Sequence, residues 1–197
     1  MINTIKTTTK AVDTINSDVL FTGMYQGAKL SKAQKILDSS LTNECSLETA
    51  KDLDNFTGKF GNNLMVFGNA DMKRIFLFGM GERGNFKTDN IRDLAAKIIK
   101  TAKSVKAENI SIDSDSFGLN KDNFCQAFIE GLFLGAYEFN DYKSKDKDED
   151  NPKGFTVTLS GNLTISIVKK AEAISRSVCF ARDVSNHPAN VATPTFL

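Results

Sequence analysis

"NLMVFGNADMKRIFLFGMGERGNFKTDNIRDLAAKIIKTAKSVKAENISID" runs from Asn63 to Asp113 and changes period twice along its length. Two apolar runs flank "GNAD", whose Gly, Asn and Asp suit the positive φ values of a tight connection. Asn63 to Gly79 therefore predicts an antiparallel hairpin. Ile91, Leu94, Ala95, Ile98, Ile99, Ala102 and Val105 then recur at the spacing of one helical face, which predicts a helix over Thr88 to Val105. Thr88 or Asp89 is its expected cap. "NISID" (Asn109 to Asp113) follows as a strand. Hairpin, helix and strand in succession point to the α/β class.

The flanks extend this reading. Upstream, "SDVLFTGMY" (Ser17 to Tyr25) and the weaker "NTIKTTT" before it mix β-branched and aromatic residues and predict strands. Ser31 and Gln34 form a capping box for a short helix, "SKAQKILDSSL". Downstream, apolar residues cover more than half the circumference of a helix expected from Asp122 to Phe139, so that helix should be sandwiched. Its Gly131 and Gly135 lie four apart, where missing side chains would let a neighbouring element approach closely. "GFTVTLS" (Gly154 to Ser160) predicts a strand, and a last helix should run from about Thr164 until Pro188 ends it. The expected architecture is a three-layer α/β/α domain with a mixed sheet.

Composition narrows the function classes. The 197 residues are 41% hydrophobic and include fifteen Phe, enough for a real core. Twenty-five basic against twenty-four acidic residues leave a net charge of +1, so no bulk field recruits nucleic acid or an acidic membrane. Neither a signal-peptide core nor a run of about 18 apolar residues occurs, which makes the cytoplasm the expected compartment. Cys45, Cys125 and Cys179 lie far apart and are expected to be buried, reduced thiols. The sequons at Asn55, Asn109 and Asn162 have no secretory route to a glycosyltransferase. In the charged run Lys143 to Asp150, Asp146, Asp148 and Asp150 imitate the start of a calcium loop. Asn151 and Val157 then stand where that loop needs Gly and Glu.

The glycines Gly79, Gly81 and Gly84 spell G-x-G-x-x-G after an apolar strand. A dinucleotide site would need a helix to open at the third glycine and an acidic residue about 20 positions further on. The first good cap is Thr88, and Asp113 lies 29 positions beyond Gly84. The loop therefore reads as a strand-exit turn. His187 is the one histidine and reads as a surface or interface residue, not a ligand. With one histidine and scattered cysteines the residues predict no catalytic, cofactor-binding or metal-binding site in this chain.

Two further stretches carry a family signature. "EGLFLGAYEFNDYKSK" (Glu130 to Lys145) and "ARDVSNHPANVATPTFL" (Ala181 to Leu197) closely resemble the leucyl aminopeptidase, or cytosol aminopeptidase, family. That family reads E-G-x-x-L-G-x-Y-x-F-x-x-Y-K and A-R-D-L-x-N-x-P-A-N-x-x-T-P. Glu130, Gly131, Leu134, Gly135, Tyr137, Phe139, Tyr142 and Lys143 match the first pattern. Ala181, Arg182, Asp183, Asn186, Pro188, Ala189, Asn190, Thr193 and Pro194 match the second, with Val184 in place of Leu. "FGMGERGNF" also falls where the family carries a G-L-G-K turn, with Met80 and Glu82 substituted.

The resemblance implies a macro-domain-like fold over residues 1–160 and, over 161–197, a connecting helix with the first residues of a catalytic domain. It implies a hexameric metallopeptidase parent that removes N-terminal residues such as leucine using two divalent metals, zinc or manganese. The family's metal segments, G-K-G-x-x-F-D-S-G-G and N-T-D-A-E-G-R, do not occur here. The chain is thus expected to be a non-catalytic accessory domain. Its expected partners are its own catalytic domain and the other subunits of a homo-hexamer, and peptide substrate would be met only through the missing domain. A macro-like module for ADP-ribose or a related nucleotide is the alternative. DNA binding, known within the family, is disfavoured by the neutral charge balance and the lack of a basic stripe.

Overall fold

Nearly continuous burial along Ser17–Met24 sets the layers of the protein. Val19 and Phe21 face one core and Leu20 and Met24 the other, so this strand is covered on both sides. The computed structural model describes residues 1–41, 46–143, 154–193 and 195. Its strands are β1 (Ile2–Thr8), β2 (Ser17–Met24), β3 (Asn63–Phe67), β4 (Met72–Gly79), β5 (Asn109–Asp113) and β6 (Phe155–Ser160). They form one sheet in the order β1-β6-β5-β2-β4-β3. Every pairing is parallel except the β3–β4 hairpin, which is the mixed sheet expected from sequence.

Helices α1 (Lys32–Ser39) and α2 (Leu47–Leu53) cover one face, where Leu37 and Leu47 meet Leu64, Val66 and Leu77. Helices α3 (Thr88–Ser104), α4 (Asp122–Ala136) and α5 (Ile165–Asn186) cover the other, with α4 between its two neighbours. The three layers and the long C-terminal helix are present as expected. Val168 and Ala171 tie the first half of α5 into the larger core.

Three local expectations need correction, and one helix stands where the sequence reading placed no element. Helix α2 was not foreseen, although Ser46 caps it by accepting from the Thr49 N–H at 3.0 Å. Neither Thr88 nor Asp89 caps α3. The N-cap is Lys87, whose N–H donates to Asn90 Oδ1 at 2.8 Å, so the capping contact comes from within the helix. Helix α4 ends at Ala136, not Phe139, because Tyr137 already turns into extended backbone. Of the expected buried thiols, Cys125 is buried with its pKa pushed up to about 11 by burial, but Cys179 is only partly covered. Cys45 and the run Asp146, Asp148 and Asp150 lie outside the described residues.

Asp18 binds the starts of three strands. It accepts from Lys73 Nζ at 2.7 Å and from the N–H groups of Asn109 (2.9 Å) and Glu108 (3.1 Å). Partial burial pushes its carboxyl up, but the Lys73 hydrogen bond and the two N–H groups outweigh that and hold it at about 2, below the usual 3.8. A depressed folded-state pKa contributes stability that is present above 3.8 and lost as pH falls through about 2. Denaturant unfolding measured across this window should show that loss, and Asp18→Asn should flatten it.

Candidate functional site

The glycine loop leaves β4 between two obstacles. Gly81 has φ +74° and donates its N–H to the Gly58 carbonyl at 2.9 Å, while its own carbonyl accepts from the Gln26 N–H at 2.9 Å. A Cβ on Gly79 would lie 2.7 Å from the Gly58 carbonyl carbon, so the crossing segment needs glycine there too. Gly84 is different: a Cβ would meet nothing within 4 Å. The G-x-G-x-x-G spacing thus contains two glycines required by the turn and one that is not.

Beyond the turn, Arg83 and Phe86 line a cleft of about 400 Å³ at the C-terminal ends of β2, β4 and β5. Open α/β sheets commonly bind ligands at such an edge. Phe86 meets Tyr25 and Phe124 edge-on, at 5.6 and 5.8 Å between ring centroids. Arg83 stands 4.8 Å over the Tyr25 ring and Lys121 5.3 Å over Phe124. Lys29 and Asp115 complete the charged lining.

Asp113, tested from sequence as a ribose-binding acid, does not line this cleft. It is buried beneath it, accepting from Thr22 Oγ1 at 2.8 Å and from the Ser116 N–H at 3.3 Å. Gln34 donates to Thr22 Oγ1 and to the Gly23 carbonyl, both at 2.9 Å, which locks α1 to the end of β2. Burial raises the pKa of Asp113 against the opposing effect of these hydrogen bonds. The carboxyl is spent on structure.

The two motif stretches meet each other. Glu130 takes Arg92 of α3 through Nη2 at 2.8 Å and Nε at 3.2 Å, and Gln126 donates to its other oxygen at 2.9 Å. Next to it, Gly131 and Gly135 let the α3 backbone in: a Cβ on Gly131 would fall on the Arg92 carbonyl oxygen, and one on Gly135 would lie 2.6 Å from Ala96 Cα. Past the helix end the same stretch grips α5. Tyr137 donates its hydroxyl to Asp183 Oδ1 at 2.9 Å and accepts from Asn186 Nδ2 at 3.0 Å, while the Arg182 guanidinium lies 5.4 Å over its ring. His187 packs edge-on against Phe139 at 5.2 Å and places Nδ1 2.7 Å from the Tyr142 hydroxyl.

His187, expected as a surface or interface residue, is half-buried in a contact within the chain. Tyr137, Phe139, Tyr142, Asp183 and Asn186 belong to the signature in the sequence, which does not place them together. Their contacts span 45 to 49 positions and leave no periodic trace.

Among the described residues no group of three His, Cys, Asp or Glu is placed to hold a metal ion. Asp18, Glu130 and Asp183 are engaged by Lys73, Arg92 and Tyr137 respectively. The described residues therefore do not fit the two metals implied by the resemblance.

The family model for the cytosol aminopeptidase family, N-terminal domain, matches residues 21–146. The chain belongs to this family. It is 33% identical over 95% of its length to a probable cytosol aminopeptidase of Sulfurihydrogenibium sp., and 28% identical over 96% to one of Alkaliphilus metalliredigens. A mutant of tomato leucine aminopeptidase superposes on the whole chain with TM-score 0.76 at 25% identity. The bottromycin maturation enzyme BotP, at 20% identity and TM-score 0.67, shares the fold. The chain spans about two fifths of the length of the curated relatives it matches. No helix among the described residues is long and apolar enough to cross a membrane.

Proposed function

We propose that this chain is the non-catalytic, architectural N-terminal domain of a cytoplasmic leucyl aminopeptidase. In this reading residues 1–160 form the macro-like unit, and residues 161–197 connect it to the portion that binds two divalent metals, zinc or manganese, and releases N-terminal residues such as leucine. The observation that carries the reading is the grip of Tyr137, Phe139 and Tyr142 on Asp183, Asn186 and His187. The family signature is spent on fixing the direction of α5, not on a reactive centre. The domain then sets where the following catalytic portion sits and helps subunits pack in a homo-hexamer. The purified chain should release no leucine from leucine p-nitroanilide with either manganese or zinc added. Metal-dependent turnover by these residues alone would overturn the accessory role.

A nucleotide-binding module is the second reading, favoured by the cleft with Arg83 and Lys121 over aromatic rings at the strand ends. It ranks second because the nearest buried acid, Asp113, is engaged by Thr22 and Ser116 and does not line the cleft. Calorimetric titration with ADP-ribose decides it, and absence of heat at millimolar ligand ends it.

A further inference from the structure

The two edges of the sheet are unlike. Strand β1 carries Lys6, and Arg176 of α5 reaches over to the Asn3 carbonyl at 3.0 Å. Strand β3, "NLMVF", has neither a charge nor a proline, the usual guards of a free edge. Its outward side chains include Met65 and Phe67, 38% and 63% exposed. The register shows which backbone groups are open. Gly68 N–H donates to the Lys73 carbonyl at 3.0 Å, and the ladder continues with Val66 opposite Ile75 and Leu64 opposite Leu77. In an antiparallel ladder the bonded pairs alternate, so the N–H and C=O groups of Asn63, Met65 and Phe67 point away from β4.

We infer that β3 pairs antiparallel with β3 of a second copy of this chain about a two-fold axis at Met65, joining two sheets into one. The open groups are symmetric about that residue. Met65 faces Met65 of the second copy and Asn63 faces Phe67, so each of the three residues meets a residue whose own groups are open. The side-chain face matches as well: two Met65 thioethers stand at the centre with a Phe67 ring on either side. The strand carries no charge to oppose itself. This pairing deepens the subunit-packing role proposed above and rests on it for its purpose, though its geometry does not depend on that role.

Sedimentation of the purified chain should show a monomer–dimer equilibrium at concentrations on the order of 100 µM, the regime of a small interface. Met65→Lys puts two ammonium groups face to face and should weaken the dimer roughly tenfold or more. Met65→Pro removes one outward N–H without touching a bond to β4, a place where an edge strand tolerates proline, and should weaken it as well. Thermal melts establish that each variant is folded, and hydrogen exchange gives a readout on the native chain: the Met65 and Phe67 amides should slow as concentration rises. A chain that stays monomeric, or a dimer that both variants leave intact, overturns the pairing. A monomer leaves the accessory role standing, since that role falls on peptidase activity, which is measured separately.

Discussion

Gly131→Val should be among the most damaging single substitutions on the surface between α3 and α4, lowering stability by roughly 3 kcal/mol or more. In an exposed helix the change would have the opposite sign, because glycine in a helix interior is worse than an ordinary residue by up to about 1 kcal/mol. What decides the outcome is the object in the way. The new Cβ falls on the Arg92 carbonyl oxygen, with the Ala95 methyl only 2.9 Å from it, and neither is the free end of a flexible side chain. The helices must separate, which also stretches the Arg92–Glu130 pair beside the contact. For a domain of this size the loss corresponds to a fall in melting temperature of roughly 6–12 °C. Gly84→Ala supplies the control, since nothing lies within 4 Å of its Cβ. That variant should be neutral or more stable by about 0.4–1 kcal/mol through its less flexible unfolded chain. Equal melting temperatures for the two variants would mean that α3 and α4 do not touch at Gly131.

How much of this was legible in the sequence depends on range. Helix α3 announces itself through a period of 3.6, because one side of it is repeatedly buried, and strand β2, buried on both faces, through its run of β-branched and aromatic residues. The capping box at Ser31 is equally local, and its hydrogen bonds are present in both directions. Helix α2 escapes the same logic. "LETAKDL" completes barely two turns, too few for a period to emerge, and only Ser46 with Thr49 signals its start. The early end of α4 is not local at all, since Tyr137 leaves the helix to reach Asp183 on α5, 46 positions away. The cleft is harder still. Tyr25, Phe86 and Phe124 come from three separate segments, and only the parallel crossovers bring their rings together. The motif glycines sit between these cases: their spacing could be read, but their reason lay in a neighbour that the sequence does not name.

Phe21→Ala should cost about 3–5 kcal/mol, the usual range for emptying a fully buried aromatic site. Phe21 is completely inaccessible, stacks on Phe76 at 5.3 Å between ring centroids and meets Phe78 edge-on at 5.7 Å. Its strand, β2, is held on both sides by β4 and β5, so the backbone has little freedom to collapse into the void. A typical domain is stable by only about 5–15 kcal/mol, so this one change should remove a large fraction of the total. Phe86→Ala makes the informative partner. That ring is only half-buried and belongs to the cleft, so its loss should cost well under half as much while opening the site. Denaturant midpoints measured with unchanged slopes separate the two cases, because a shared slope means that both variants unfold the same surface. If Phe86→Ala destabilised the protein as much as Phe21→Ala, the cleft ring would be a core residue and the nucleotide reading would lose its support. If instead the cleft variant stays stable, it becomes the proper blank for the ADP-ribose titration, folded but stripped of the ring on which Tyr25 and Phe124 converge.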